Sequence, residues 1–219
     1  MEIGKYIDYT NLKMDATSKD IALLCEEAKE YGFETVCVHP CYVSLAKELL
    51  EGSNVGVCTV IGFPLGMNSP KVKEFEAIDA IEMGADEIDM VINVGALKDK
   101  DYEYVKKEIE KVRDVIEGRC LKVIIETSLL TDDEIIKMTQ MCNETFVNYI
   151  KTSTGFGTRG ASVHDVEIMN KYKNNILQIK SSGGIKTYLQ MNELIEAGAS
   201  RIGTSNGVNI VTHMKGSNE

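Results

Sequence analysis

Two lysines and one aspartate stand where packing alone does not explain them. Lys151 follows Tyr149-Ile150, Lys180 follows Leu177-Gln178-Ile179, and Asp89 sits inside Ile88-Asp89-Met90-Val91-Ile92. An unpaired carboxylate in such an apolar run is costly to bury, so Asp89 is either a structural ion-pair partner or a working group. Either lysine alone reads as a solvated or salt-bridged residue. As a pair in a partly desolvated pocket they disfavour each other's charge, which draws an amine from its ordinary pKa of ~10.4 toward ~7–8. A neutral amine attacks a carbonyl and forms a Schiff base, an electron sink for breaking or making the adjacent carbon–carbon bond. Lys151 as nucleophile, Lys180 as the lysine that lowers its pKa and Asp89 as proton-handling partner suffice for an aldolase that uses no metal and no cofactor.

Glycine-rich segments follow the last three apolar runs: Gly155 to Gly160, Ser181-Ser182-Gly183-Gly184, and Gly203-Thr204-Ser205-Asn206-Gly207. Glycines let backbone amides approach an oxyanion closely, and the loops after strands seven and eight of a barrel often cradle phosphate this way, with a short helix N-terminus. Each loop alone also reads as a tight turn; three in succession favour phosphate. Gly155-Phe156-Gly157-Thr158-Arg159-Gly160 matches a dinucleotide fingerprint. That motif calls for an acidic residue at the end of the next strand to hold ribose, and Lys180 has the wrong sign.

These groups need a scaffold that brings distant strand ends together. Apolar, β-branched runs recur eight times: Tyr6 to Thr10, Phe33 to Val38, Asn54 to Ile61, Glu87 to Ile92, Leu121 to Glu126, Val147 to Ile150, Ile176 to Ile179 and Arg201 to Gly203. Between them lie helical patterns such as Ile21, Leu24, Cys25, Ala28 and Val72, Phe75, Ala77, Ile78, Ile81. Ser69-Pro70, Thr131 to Glu134, and Ser162 with Asp165 mark helix starts, whereas Gly32, Gly84, Gly118 and Gly198 mark stops. Eight repeats in 219 residues predict one TIM (β/α)8 barrel over residues 1–219, at the short end of the usual size; a doubly wound open sheet is the alternative. In a barrel, function lies at the C-terminal ends of the strands, which selects Asp8, Thr10, Cys37, His39, Thr59, Asn93, Glu126 and Gly203 to Ser205 beside the lysines and Asp89.

Composition narrows the function classes. The chain has 43% hydrophobic and 26% charged residues, as a folded globular protein does, and its net charge of −10 argues against nucleic acid as the main partner. No signal-peptide core and no membrane-length apolar run are present, so a cytoplasmic location and no membrane association are expected. Six scattered cysteines without a CxxC pair read as buried thiols, and Cys37-Val38-His39-Pro40-Cys41 lacks the spacing of a zinc site.

With these segments in view, the chain resembles the deoxyribose-phosphate aldolases over nearly its whole length. Val60-Ile61-Gly62-Phe63-Pro64-Leu65-Gly66, Ala85-Asp86-Glu87-Ile88-Asp89-Met90-Val91, Leu121 to Thr127, Lys151-Thr152-Ser153-Thr154-Gly155-Phe156-Gly157 and Lys180-Ser181-Ser182-Gly183-Gly184-Ile185 carry the resemblance. It implies a class I aldolase that reversibly cleaves 2-deoxy-D-ribose 5-phosphate to glyceraldehyde 3-phosphate and acetaldehyde. By the same match Asp8, Thr10, Cys37 and Thr154 would line the sugar, and Gly155, Gly183, Gly184, Gly203 and Ser205 would surround the phosphate. Lys151, Lys180 and Asp89 keep the roles already assigned. Tyr9, Met14, His39 and Arg159 depart from the family pattern, and no counterpart of a C-terminal tyrosine used by some members occurs in Gly207 to Glu219. A different phosphorylated aldehyde, or a phosphosugar-binding protein without turnover, are the competing functions. The sequence leaves the oligomeric state open and admits a homodimer.

Overall fold

A computed structural model describes residues 3–213; residues 214–219, the last six of the C-terminal stretch just named, lie outside the described residues. Eight parallel strands close into a barrel in chain order. They are β1 (Ile7–Asn11), β2 (Thr35–Val38), β3 (Gly56–Ile61), β4 (Glu87–Val91), β5 (Cys120–Ile124), β6 (Tyr149–Lys151), β7 (Gln178–Ser182) and β8 (Arg201–Thr204). The closed sheet excludes the open doubly wound alternative. Around it run α1 (Ser18–Tyr31), α2 (Val43–Leu49), α3 (Pro70–Glu82), α4 (Val94–Lys98), α5 (Tyr102–Val115), α6 (Asp132–Glu144), α7 (Val163–Tyr172), α8 (Tyr188–Ala197) and α9 (Gly207–His213).

The helix boundaries follow local chemistry. Thr131 and Glu134 form a reciprocal capping box at the start of α6, and the Ser162 hydroxyl accepts the Asp165 amide at the start of α7. Helix α1 stops where Gly32 turns left-handed at φ 64°, and the chain enters β2 three residues later. Successive strand residues alternate between the barrel interior and the helices. Ile88, Met90, Val123, Ile150, Ile179 and Ile202 therefore pack outward as a fully buried layer, while their sequence neighbours project inward.

Two elements differ from the sequence reading. Strand β7 starts two residues later, at Gln178, and runs through Lys180 to Ser182; Ile176 is 70% exposed in the preceding loop. Helix α3 meets the expected face only in part: Ala77 is buried and Ile81 packs partly buried against the core, but Lys73 and Ala80 are buried too, and Val72, Phe75 and Ile78 turn outward. The reason is close packing on α5, where small alanines fit and the Lys73 ammonium meets Glu108 at 2.6 Å in a fully buried ion pair. Glu108 also accepts the Asn93 amide at 2.6 Å, tying the loop after β4 to the helix layer.

Candidate active site

The inward residues of β1, β4, β5, β6, β7 and β8 form a buried charge cluster. Asp89, the third residue of β4, accepts hydrogen bonds on Oδ2 from Lys151 Nζ and Lys180 Nζ, both at 2.7 Å, and on Oδ1 from Lys122 Nζ at 2.8 Å. The two ammonium nitrogens therefore lie within two hydrogen-bond lengths of each other. Lys180 also makes a close ion pair with Asp8 at 2.5 Å, a charge contact rather than an aligned hydrogen bond. Lys122 meets Glu87 at 2.6 Å, and Arg201 bridges Asp8 at 2.7 Å and Glu87 at 3.2 Å. Three carboxylates thus face Lys122, Lys180 and Arg201, and Lys151 is the fourth basic group, attached to the cluster, among the described residues, only through an Asp89 oxygen it shares with Lys180.

Burial opposes the charges of Asp89, Lys122 and Lys180, yet their partners prevail. Burial would lift the Asp89 carboxyl, but Lys122, Lys151 and Lys180 hold it well below the usual carboxylate range. Burial would likewise lower Lys180, but Asp8 and Asp89 raise it above an ordinary lysine, and the same holds for Lys122 beside Asp89. Lys180 is therefore held as a cation beside Lys151 by Asp8 and Asp89. Its position differs from the strand end expected for it: it lies in the middle of β7, fully buried, while Lys151 ends β6.

Above the cluster opens a cavity of about 870 Å3. Lys151 lies on its wall with Thr10, Thr154, Gly155, Gly183, Gly184, Gly203 and Ser205, so eight of the twelve expected site residues converge there. Asp8, Asp89, Cys37 and Lys180 do not line it. Asp8 lies a layer below, bound to Lys180 and Arg201, so it supports the cluster rather than lining a sugar. Cys37 is wholly buried, packed with Leu12, Cys58, Val60 and Phe63, although it pairs in register with Thr10 on the cavity wall. A hydrogen bond with Cys58 lowers its thiol.

The glycine loops meet on one side of the cavity. Gly155, Gly183 and Gly184 have φ of 89°, 85° and 76°, values at which a side chain would be strained. A Cβ on Gly160 would lie 1.9 Å from the Gly183 carbonyl oxygen, so the loops after β6 and β7 touch backbone to backbone. Among the described residues the amides of Gly155, Gly183, Gly184 and Ser205 donate to no protein acceptor. The exposed Lys186 stands on the same wall. Four free amides and a cation there suit a phosphate. Phe156, in the loop after β6 and on the cavity wall, meets Phe63 edge-on at 5.5 Å, and Phe63 in turn meets His39 at 6.1 Å.

Comparison with known proteins agrees with this geometry. The family model described as DeoC/LacD family aldolase matches residues 3–213. The chain belongs to the DeoC/LacD aldolase family. A deoxyribose-phosphate aldolase from Thermococcus kodakarensis is 56% identical over 214 residues, covering 96% of each chain. One from Finegoldia magna is 54% identical over 211 residues, covering 96% of this chain and 99% of the relative. The solved structure of a tetrameric deoxyribose phosphate aldolase from Aeropyrum pernix superposes with a TM-score of 0.89 at 32% identity, covering 96% of this chain and 89% of the other.

The residues at which the sequence departs from the resemblance have local partners or surroundings of their own. The Tyr9 hydroxyl donates to Glu27 at 2.7 Å, fastening β1 to α1, and His39 Nε2 lies 3.0 Å from the Leu12 carbonyl oxygen at the mouth. Met14 is 94% exposed on the cavity rim. Arg159 does not add charge to the phosphate loop. Its guanidinium clamps Asp165 and the Thr127 carbonyl, joining the loop after β5 to α7. Burial opposes the Asp165 charge, but hydrogen bonds from Arg159 and Thr127 depress its folded pKa. Stability from that ion is complete above the ordinary carboxylate value near ~4 and is lost as pH falls through the depressed folded value. Arg159→Ala is expected to lower Tm at pH 7 and to flatten the acid branch of Tm against pH, measured by calorimetry between pH 2 and 7.

Burial also sorts the thiols. Cys41 is the exposed one of six; burial pushes Cys25 up to about 11 and Cys120 up to about 12, and raises Cys58 and Cys142 as well. Native protein is expected to show one fast thiol toward a disulfide reagent, mapped to Cys41, and six after denaturation. A second fast thiol in the native protein would contradict this burial pattern.

Several residues of the cluster escaped the sequence reading. Lys122 breaks Leu121-Lys122-Val123-Ile124 as Asp89 breaks its own run, and Glu87 shares an inward face with Asp89 by the two-residue period of a strand. Those signals were present. Arg201 opened the last apolar run without a role, and it is 6% exposed inside the barrel.

Proposed function

We propose that this chain is a class I aldolase that reversibly cleaves 2-deoxy-D-ribose 5-phosphate to D-glyceraldehyde 3-phosphate and acetaldehyde. The observation that carries the reading is Lys151 Nζ on the cavity wall, hydrogen-bonded to an Asp89 oxygen that also holds the cationic Lys180. Lys151, as the free amine, attacks the C1 aldehyde of the open-chain sugar, and loss of water gives the protonated Schiff base. Removal of the C3 hydroxyl proton breaks the C2–C3 bond, releases glyceraldehyde 3-phosphate and moves the electron pair into an enamine. Protonation at C2 and hydrolysis return acetaldehyde and free Lys151. Asp89 passes protons by way of water, and Lys180 favours the free amine of Lys151 by charge repulsion.

The phosphate sits against the amides of Gly155, Gly183, Gly184 and Ser205, beside Gly203 and the Lys186 ammonium, and Thr10 and Thr154 face the sugar. Asp8 and Cys37 act from beneath the floor. The reading carries a cytoplasmic location and a small phosphorylated sugar as partner; no helix among the described residues is long and apolar enough to cross a membrane. The chain forms a homodimer that covers the outward stripe Val72, Phe75 and Ile78 of α3 with the neighbouring Leu65 and Met67, side chains that are 38–74% exposed in the single chain. Incubation with 2-deoxy-D-ribose 5-phosphate tests the activity: equimolar acetaldehyde and glyceraldehyde 3-phosphate are expected. Turnover of other phosphorylated aldehydes without this one would overturn the substrate.

A further inference from the structure

We infer that Glu126 is the positioning residue that sets the loop after β6 for the phosphorylated end of the substrate, and that it leaves Thr154 facing the sugar as a hydrogen-bond acceptor only. This rests on the aldolase reading above. Glu126 ends the run after β5 with φ 53° and ψ 68°, a left-handed conformation that disfavours a residue with a side chain. Such a state persists where surrounding contacts impose it. Here the contacts are polar and converge on the carboxylate. Glu126 is 6% exposed and meets no ammonium or guanidinium at ion-pair distance among the described residues. Its Oε2 accepts the Thr154 amide at 3.1 Å and the Thr154 hydroxyl at 2.5 Å, and its Oε1 accepts the Ser128 hydroxyl at 3.1 Å.

The effect passes along the loop. Thr154 Oγ1, having given its proton to Glu126, accepts the Phe156 amide at 3.0 Å. Thr154 and Phe156 are thereby fixed on either side of Gly155, whose own amide faces the cavity unspent, and the Phe156 ring is held against Phe63. Gly157 closes onto the same carboxylate: a Cβ there would lie 2.7 Å from Glu126 Oε1. With its proton and one lone pair engaged, the Thr154 hydroxyl has one lone pair left for a ligand. It therefore receives a hydrogen bond from a sugar hydroxyl and gives none.

The test compares Glu126→Gln with the wild type on 2-deoxyribose 5-phosphate, on unphosphorylated 2-deoxyribose, and in borohydride trapping of acetaldehyde on Lys151. An amide at position 126 cannot accept both Thr154 donors while also accepting from Ser128. The expected result is a KM for the phosphorylated sugar raised ~10-fold, a KM for 2-deoxyribose raised less than ~2-fold, and acetaldehyde trapping within ~2-fold of wild type. A merely structural role would depress trapping and both substrates together. Should Glu126→Gln fail to fold, Gly157→Ala pushes the loop off an intact carboxylate and is expected to shift the same KM ratio. An unchanged ratio in the folded variant overturns the inference while wild-type turnover leaves the aldolase reading standing. A wild type that does not cleave the phosphorylated sugar overturns that reading itself.

Discussion

Asp89→Asn is expected to abolish measurable turnover and to lower Tm by ~10 °C at pH 7. The carboxylate is the common acceptor of Lys122, Lys151 and Lys180, and the asparagine that replaces it carries no charge to set against them. Removing one partner from a buried ion cluster costs ~3–5 kcal/mol, and for a chain of this size each kcal/mol is worth ~2–4 °C. The activity loss has a separate origin, since the proton relay beside the Schiff base is gone. Calorimetry and a turnover assay on the same preparation separate the two effects. A variant with wild-type Tm would show that the cluster does not depend on Asp89 for charge balance, and one with wild-type turnover would remove it from the chemistry.

Lys180→Met is expected to have the second-largest effect, and not the one that a lysine at a strand end would have. A residue projecting from a strand into a pocket could be replaced by an apolar one with the barrel intact. In the middle of β7, fully buried, Lys180 neutralises both Asp8 and Asp89, so its loss leaves Asp8 with Arg201 and a longer contact to Lys122. A stability loss of ~3–5 kcal/mol is expected from the uncompensated carboxylates. In protein that remains folded, kcat/KM at neutral pH falls and the acid limb of its pH profile moves to higher pH, because the repelling cation beside Lys151 has been removed. A profile that falls in height without moving would contradict the electrostatic role while leaving the structural one. Lys180→Arg, which keeps the charge, is expected to hold the limb near its wild-type position.

What was legible in the sequence follows from one signal, charge inside an apolar run. Asp89 and Lys180 carried it in enough context to be singled out, whereas Lys122 carried it equally and passed as an ordinary strand residue. The barrel was legible because eight apolar runs alternate with capped helical patterns, and Thr131 and Ser162 cap where their spacing says they should. Strand β7 was misplaced because polar residues end strands in most sheets. Inside a closed barrel, Lys180 is satisfied by Asp89 and the Ser182 hydroxyl by the Ser153 carbonyl, so the strand continues through them.

Helix α3 misled for a related reason. Hydrophobic periodicity assumes that apolar residues are the buried ones, and it placed Ala77 correctly, but Lys73 is buried because Glu108 lies opposite while Val72, Phe75 and Ile78 face out. Arg159 shows the limit for single residues: its charge was evident and its partner was not, since Asp165 lies beyond a loop whose path only the fold reveals. Glu126 stood among the polar strand ends without a role, because its three donors arrive from two different loops.

The covalent role of Lys151 is open to direct measurement. Protein incubated with acetaldehyde and borohydride, digested and analysed by mass spectrometry, is expected to carry one reduced two-carbon adduct, on the peptide that contains Lys151, with activity lost in proportion to labelling. Full labelling at another lysine, or an unmodified Lys151 in protein that has lost its activity, would contradict the assignment of Lys151 as the Schiff-base nucleophile.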